Sequence, residues 1–187
     1  MEHFTTCKKV TGYTTIHRHD EMIASFASVL REHQIMTSPV PVGYNEDDGR
    51  RPDLVVWLSQ GTYCLDFSVV LPTATSYVQH SVQDHHYAVK LRERQKQDKH
   101  GPSAVANGHH FVPMVFDAFG GKGPAAEYFF QVLENAKEGG TRLCRKLHRA
   151  VGAALQRGNC RILKFAGRQV HPVDAVMQGR SGVVPRD

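Results

Sequence analysis

The sequence lacks any apolar run of about 18 residues, the length at which a helix becomes able to cross a bilayer. Its first residues are polar and show no signal-peptide pattern. Its four cysteines lie far apart without a Cys-x-x-Cys pair, so reduced thiols are favoured over a disulfide framework. These absences predict a nuclear or cytoplasmic protein that is neither secreted nor embedded in a membrane.

Acidic residues are scarce near the C terminus. From Gly139 onward there are ten Lys and Arg residues and two acids, Asp174 and Asp187, in a chain with a net charge of +5. Residues 141–155 have the apolar spacing of an amphipathic helix. A phosphate-contacting face and an ordinary surface helix docked on a sheet both fit this pattern, and one helix can do both. The basic residues around the apolar stripe are Arg142, Arg145, Lys146 and Arg149.

The length of 187 residues fits one domain with a substantial core. We expect an N-terminal arm over residues 1–17, a folded domain over residues 18–166 and a flexible tail over residues 167–187. In the arm, Cys7 with His17 or His19 is compatible with the remnant of a zinc knuckle, although three such residues are too few to define a zinc site. Outside the segments discussed below, the patterns predict helices over 20–34 and 124–137, strands over 111–116 and 159–165, and an exposed loop over 44–49.

A β-hairpin is predicted over residues 54–70, where two short apolar runs flank the turn-forming segment 59–62. A turn centred on Gln60 and Gly61 sets Asp53 opposite Ser68. Asp66 then lies on the same sheet face as Asp53, as a diagonal neighbour roughly 7–8 Å away at the backbone. A slip of one residue would put the two carboxylates on opposite faces.

Two carboxylates on a mostly apolar sheet repel each other and lose hydration, and a divalent cation relieves both costs. Magnesium prefers oxygen ligands and is usually held by one or two carboxylates together with substrate phosphate. We therefore predict a Mg²⁺ or Mn²⁺ site formed by Asp53, Asp66 and the carbonyl of Phe67. The simpler alternative is that Pro52-Asp53 opens a turn and Asp66 pairs with a nearby arginine.

A lysine-rich helix is predicted over residues 81–100, with Gly101-Pro102 as its stop signal. At 100° per residue, Arg92, Lys96 and Lys99 cluster on one face, whereas Lys90 points away from Lys96. A lysine that faces the metal would orient the attacking water or neutralise charge on the phosphate. A solvated basic face is the alternative interpretation of the same pattern.

The ordered motifs resemble the PD-(D/E)xK nuclease superfamily. The closer resemblance is to the restriction-like endonuclease domain of site-specific non-LTR retrotransposon proteins, over roughly residues 18 to 165. Two positions depart from the family pattern: Ser68 stands where a lysine is often found, and His100 where an aromatic residue is usual. The matching segments are Arg-Pro-Asp at 51–53, Leu-Asp-Phe-Ser-Val-Val at 65–70, Lys-x-x-Lys-His at 96–100, Phe-Val-Pro-Met-Val-Phe at 111–116 and Gly-Gly-Lys-Gly at 120–123.

The resemblance implies an α/β fold with a PD-(D/E)xK restriction-endonuclease-like core, a central mixed β-sheet flanked by α-helices. It also implies metal-dependent nicking of DNA to prime reverse transcription, with a reverse transcriptase domain in the same natural polypeptide. It assigns Asp53 and Asp66 as metal ligands and Lys96 and Lys99 as catalytic lysines. Glu21 is a further candidate ligand, although its charge also suits the first turn of a helix.

We expect DNA, or alternatively RNA, as the partner. The candidate contacts outside the 141–155 helix are Arg51, Arg92 and Lys122, the last in a Gly-rich segment whose amides are able to approach phosphate. Three alternatives stay open at this point: a viral cap-snatching RNA endonuclease, a nucleic-acid-binding module on a decayed nuclease fold, and a purely structural interaction domain.

Overall fold

The computed structural model describes residues 8–41 and 51–170, with side chains over residues 12–41 and 51–167. Helix α1 (Lys8–Glu32) leads into strand β1 (Met36–Pro39). The hairpin strands β2 (Leu54–Leu58) and β3 (Gly61–Val70) precede a short helix α2 (Val78–Ser81) and the long helix α3 (Tyr87–Ala106). Strand β4 (His110–Asp117) and helices α4 (Pro124–Asn135) and α5 (Gly140–Val170) complete the order.

The four strands form one mixed sheet in the order β1-β2-β3-β4. The first three strands pair antiparallel, and β4 pairs parallel with β3. Because parallel neighbours need a crossover connection, α3 bridges β3 and β4 across one face of the sheet. The described chain is therefore α/β, with a mixed sheet flanked by helices as predicted.

Alternate residues of each strand face the two layers of helices. The main core lies on one face, where Leu54, Leu65 and Met114 pack with α1, α4 and α5. The opposite face carries Val70 and Val115 against α3. Since side chains alternate along a strand, Asp66 and Ser68 lie on this second face, beneath α3.

Helices α1 and α5 pack along each other in antiparallel directions. Glu32 near the end of α1 pairs with Lys146 near the start of α5, and Glu21 pairs with Arg157 and Arg161 farther along. Between these ion pairs, buried apolar side chains of both helices join the main core. The two helices thus tie the beginning of the described chain to its end.

Three sequence-based predictions of helices and strands were wrong. The first helix begins at Lys8, twelve residues before its predicted start at residue 20. The lysine-rich helix α3 begins at Tyr87 and not at residue 81. Gly101-Pro102 does not stop it, and it continues to Ala106 because His100 and Ala104 are buried on its inner face and Pro102 is exposed. The strand expected over 159–165 is part of α5, whose buried positions continue at helical spacing through Ile162 and Ala166.

Several other expectations concern residues outside the described ranges. Cys7, the loop 44–49 and the tail from residue 171 onward belong to these, whereas residues 167–170 are the last part of α5. No disulfide joins the described cysteines, which are Cys64, Cys144 and Cys160. Among the described helices, none combines the length and the apolar character needed to cross a membrane.

Candidate functional site

The hairpin register brings the two aspartates closer than predicted. Leu54 pairs with Leu65 and Leu58 with Gly61, so the turn consists of Ser59 and Gln60. Gly61 has φ of 147°, a conformation that glycine adopts readily. Continued by one residue, this register sets Asp53 opposite Asp66, not opposite Ser68. Because the difference from the predicted register is two residues, the shared face is preserved.

The site lies where β3 extends beyond the end of its hairpin partner β2. Strand β2 pairs only with Gly61–Leu65, so the second half of β3 has β4 on one side and, within the described ranges, no strand on the other. A cleft of about 320 Å³ opens there between α1, β3 and α3. We call it the site cleft, and its polar walls include Arg18, His19, Asp66, Ser68, Arg92 and Lys96.

Asp53 is fixed from two sides. The backbone N–H of Phe67 donates a hydrogen bond of 2.6 Å to Oδ2 of Asp53, and His19 Nε2 lies 3.2 Å from the same oxygen. Burial opposes ionisation of Asp53, but the hydrogen bond and charge of His19 and the Phe67 N–H outweigh it and lower its pKa. Burial likewise disfavours the charged form of His19, yet Asp53, together with Asp20, raises the pKa of His19 to about 9.

Helix α3 presents a row of three side chains to β3. Arg92, Lys96 and His100 follow one another at intervals of four residues and therefore share a face. Arg92 Nε donates to Oγ of Ser68 at 3.1 Å, Lys96 donates to Oδ2 of Asp66, and His100 Nε2 lies 3.6 Å from the same oxygen. The row is buried at Lys96 and His100 and partly buried at Arg92.

Of the two acids, Asp66 is the one whose ionisation is less favourable. Burial raises its pKa, the charge of Lys96 lowers it, and the charge and hydrogen bond of Asp53 raise it again, for a net value of about 6. Asp66 therefore resists ionisation, and the charge of the nearby Asp53 carboxylate is one of the causes. Facing carboxylate oxygens on a sheet are the donors that Mg²⁺ and Mn²⁺ prefer, so Asp53 and Asp66 fit a divalent cation. In an extended strand the N–H and C=O of one residue point to the same edge, so the Phe67 carbonyl faces the edge on which its N–H meets Asp53, and its role as a ligand stays a prediction.

The structure separates the lysines of α3. Lys96 is buried against Asp66, whereas Lys99 lies on the exposed side of the helix. Lys90 pairs with Asp84 on the surface, with 2.8 Å between Nζ and Oδ2. The predicted difference in direction between Lys90 and Lys96 therefore matches the contacts of the two side chains.

Glu21 does not join the aspartates. Its carboxylate pairs with Arg157 and Arg161 of α5, with 2.6 Å between Oε1 and Nε of Arg157. These two arginines lower the pKa of Glu21 against the opposing effect of burial. In this arrangement Glu21 links α1 to α5, and two arginines already satisfy its charge.

The candidate nucleic-acid contacts fall into two groups. Lys122 is already engaged, by Glu127 at 2.6 Å and by the ring of Phe130, whose centroid lies 4.7 Å from Nζ. Lys146 pairs with Glu32. The other surface candidates are exposed and have no acidic partner among the described residues: Arg51, Arg142, Arg145 and Arg149.

A second group of metal-ligating side chains lies outside the site cleft. Ligand atoms of Asp84, His85 and His86 lie within 4.8 Å of one another near the start of α3. Asp84 is, however, held by Lys90 and by the backbone N–H of His86, so its oxygens already have partners. This cluster is unrelated to the predicted site.

Some members of the site were missed in the sequence. His100 and Ser68 were noted only as departures from a family pattern, although positions four residues from Lys96 and two from Asp66 share their faces. Arg18 gave no usable signal and His19 was considered only for a zinc-knuckle remnant, because both reach the site only through the packing of α1. A scan against protein-family models and a search of curated proteins both return no match.

Proposed function

We propose that the chain is a divalent-metal-dependent endonuclease built on a PD-(D/E)xK-like core. The observation that carries the proposal is the meeting of Asp53 and Asp66 at an open cleft with a buried lysine beside them. Two neighbouring acids are costly without a cation, whereas they are well suited to hold one. The proposed substrate is DNA, nicked one strand at a time, and the proposed natural context is a non-LTR retrotransposon protein that also carries reverse transcriptase.

The roles of the chain's own groups follow from their contacts. Asp53 and Asp66 would hold the ion, and the Phe67 N–H and His19 would keep the Asp53 carboxylate oriented and ionised. Lys96 would stabilise negative charge that develops on the scissile phosphate. When bound, the metal would polarise the phosphate and lower the pKa of the attacking water.

One observation favours a second candidate, a nucleic-acid-binding module on a nuclease fold that has lost catalysis. The chain's own cations already neutralise both acids, His19 at Asp53 and Lys96 at Asp66. A fold that no longer bound metal would need such internal compensation. In the nuclease, the same cations would give way as the ion binds or turn toward the phosphate.

A cleavage assay separates the two candidates. Supercoiled plasmid, single-stranded DNA and single-stranded RNA are incubated with the protein and with Mg²⁺, Mn²⁺ or a chelator. The nuclease predicts metal-dependent nicking that Asp53→Asn and Asp66→Asn abolish and that Asp84→Asn, a substitution outside the cleft, leaves intact. Binding without cleavage under every metal condition would support the second candidate, and cleavage of RNA alone would overturn the DNA assignment.

A further inference from the structure

Arg18 is a partly buried cation without an acidic partner among the described residues. Its side chain lines the site cleft, and its Nε atom is enclosed without a hydrogen-bond partner in that part of the chain. Burial lowers the pKa of the guanidinium. A desolvated charge of this kind is costly unless an anion compensates it.

The fold holds Arg18 in this position with dedicated contacts. Its Nη1 donates to Oδ1 of Asn159 at 2.8 Å, and Nδ2 of Asn159 donates in turn to the carbonyl of Ala118 at 2.7 Å. Its aliphatic stem crosses α5 at Gly158, where an added Cβ would overlap the Cβ and Cγ atoms of Arg18. Glycine and asparagine are poor helix formers, and these contacts explain why both stand inside a 31-residue helix.

The absence of a carboxylate beside Arg18 contrasts with the other described ion pairs. Six other lysines and arginines of the described chain pair with acids, and the unpaired arginines named above are exposed, whereas Arg18 is partly buried. The six are Lys90, Lys96, Lys122, Lys146, Arg157 and Arg161. Arg92, the second arginine of the cleft, contacts only the neutral oxygens of Ser68 and Gln95. The cleft therefore contains two guanidinium groups whose charges no described acid neutralises.

We propose that Arg18 and Arg92 bind the phosphodiester backbone of the nucleic acid on the two helical walls of the cleft. Arg18 projects from α1, Arg92 from α3, and the acids Asp53 and Asp66 lie at the β3 edge between these helices. A planar guanidinium binds two oxygens of one phosphate, and a cleft with low-dielectric walls strengthens that attraction. This inference rests on the proposed function, to which it adds the residues that position the strand.

The test measures binding without metal, so that it does not depend on cleavage. A fluorescein-labelled single-stranded DNA of eight nucleotides is titrated with protein in chelator at several salt concentrations. Arg18→Gln should weaken binding roughly tenfold, the scale of one charge-assisted hydrogen bond, and should reduce the salt slope by about one phosphate contact. Arg18→Lys should lose less, because it keeps the charge but not the planar fork.

Two further variants distinguish the effect of the position of Arg18 on DNA affinity from the effect of its charge. Gly158→Ala should reproduce much of the affinity loss without removing any charge, since it displaces the stem of Arg18. Arg161→Gln is the matched control, an exposed arginine of α5 that pairs with Glu21 outside the cleft, and its affinity should stay within twofold of wild type. Thermal unfolding should show Arg18→Gln folded and no less stable than wild type, because an unpaired, partly buried charge has been removed.

The outcomes remain distinct from those of the cleavage assay. Two results would overturn the inference. In the first, Arg18→Gln binds the DNA with wild-type affinity and salt slope. In the second, Arg18→Gln loses affinity for inorganic pyrophosphate in a parallel titration and keeps its affinity for DNA. Metal-dependent nicking could still be intact in that case, which would leave the proposed function standing. If the wild type does not cleave but its DNA binding depends on Arg18, the proposed function is wrong and the binding role of Arg18 stands.

Discussion

Lys96 of α3 donates a hydrogen bond to Asp66 of β3, and both side chains are buried between the helix and the sheet. The pair lies on the sheet face that α3 covers, one helical turn from His100, which approaches the same carboxylate oxygen. The contact with Asp66 therefore holds the amino group of Lys96 in a fixed position at the wall of the cleft.

The first prediction concerns the lysine that acts in cleavage. Lys96→Ala should reduce the single-turnover cleavage rate by roughly 100-fold or more, the usual effect of removing one positioned catalytic group. Lys90→Ala should cleave as wild type does, because Lys90 lies on the surface with Asp84. Rates are measured at saturating protein so that binding and chemistry are not mixed.

Lys99→Ala serves as the discriminating variant in that series. Lys99 shares the basic segment of α3 but is exposed. A rate loss comparable to that of Lys96→Ala would return Lys99 to the catalytic set, and it would mean that α3 moves when substrate binds. Full activity in Lys96→Ala would remove the buried lysine from the mechanism.

The second prediction concerns metal binding. Mn²⁺ or Mg²⁺ should raise the melting temperature of the wild type, because a ligand at 100 times its Kd stabilises the folded state by about 2.7 kcal/mol. Asp66→Ala should lose most of this shift in a thermal-unfolding measurement. Asp84→Ala is the control, since it disrupts the cluster with His85 and His86 and leaves the cleft unchanged. If Asp84→Ala abolishes the shift and Asp66→Ala keeps it, the ion binds at the cluster of Asp84, His85 and His86 and not in the site cleft.

The third prediction concerns the basic face of α5. Arg145→Glu should weaken DNA binding about equally for all sequences and lower the salt slope, since Arg145 is exposed and has no described acidic partner. Lys164→Glu makes a comparable charge reversal on the same helix, away from the 141–155 segment, and should have a smaller effect. Equal slopes for Arg145→Glu and wild type would exclude this face from the DNA interface.

The fourth prediction concerns the buried acid Glu93, whose Oε1 accepts a hydrogen bond of 2.9 Å from the N–H of Ala125 at the start of α4. Glu93→Ala should lower the free energy of unfolding by about 1–3 kcal/mol, because the buried donor loses its acceptor. Glu93→Gln keeps an oxygen in place and should lose less. Urea denaturation of the two variants and the wild type measures the difference.

The pH dependence of the same comparison has a definite sign. Burial raises the pKa of Glu93 above its ordinary value of 4.5, against the opposing effect of the Ala125 and Ala126 N–H groups. A raised pKa in the folded state means that the protonated acid is favoured there. The stability of wild type relative to Glu93→Gln should therefore be greatest below pH 4.5 and should fall as the pH rises through the raised pKa. A rise over that interval would contradict the burial of Glu93.

The sequence predicted those features that depend on spacing within one segment. The hairpin, the shared face of Asp53 and Asp66, the direction of Lys96 and the first half of α5 all follow from periods of two or 3.6 residues. The turn was centred one residue too late, because Gly61 begins the second strand and does not occupy the centre of the turn. Local turn composition does not distinguish these two positions.

The remaining features depend on contacts between distant segments. The approach of His19 to Asp53 depends on where α1 crosses the sheet, and the position of Arg18 depends on Gly158, 140 residues away. The apolar residues of 159–165 suit a strand by composition, but the α1 surface on which α5 packs favours a continued helix. Secondary-structure propensity is weak enough for such packing to override it.

The antiparallel pairing of α1 and α5 has a consequence for biosynthesis. Among the described elements, α1 is synthesised before the sheet, and α5, which covers α1, follows the sheet. Until α5 emerges, the apolar side of α1 has only part of its partners, and Arg18 has neither Asn159 nor the groove at Gly158. The core between α1 and α5 and the position of Arg18 in the cleft therefore form only after α5 has been synthesised.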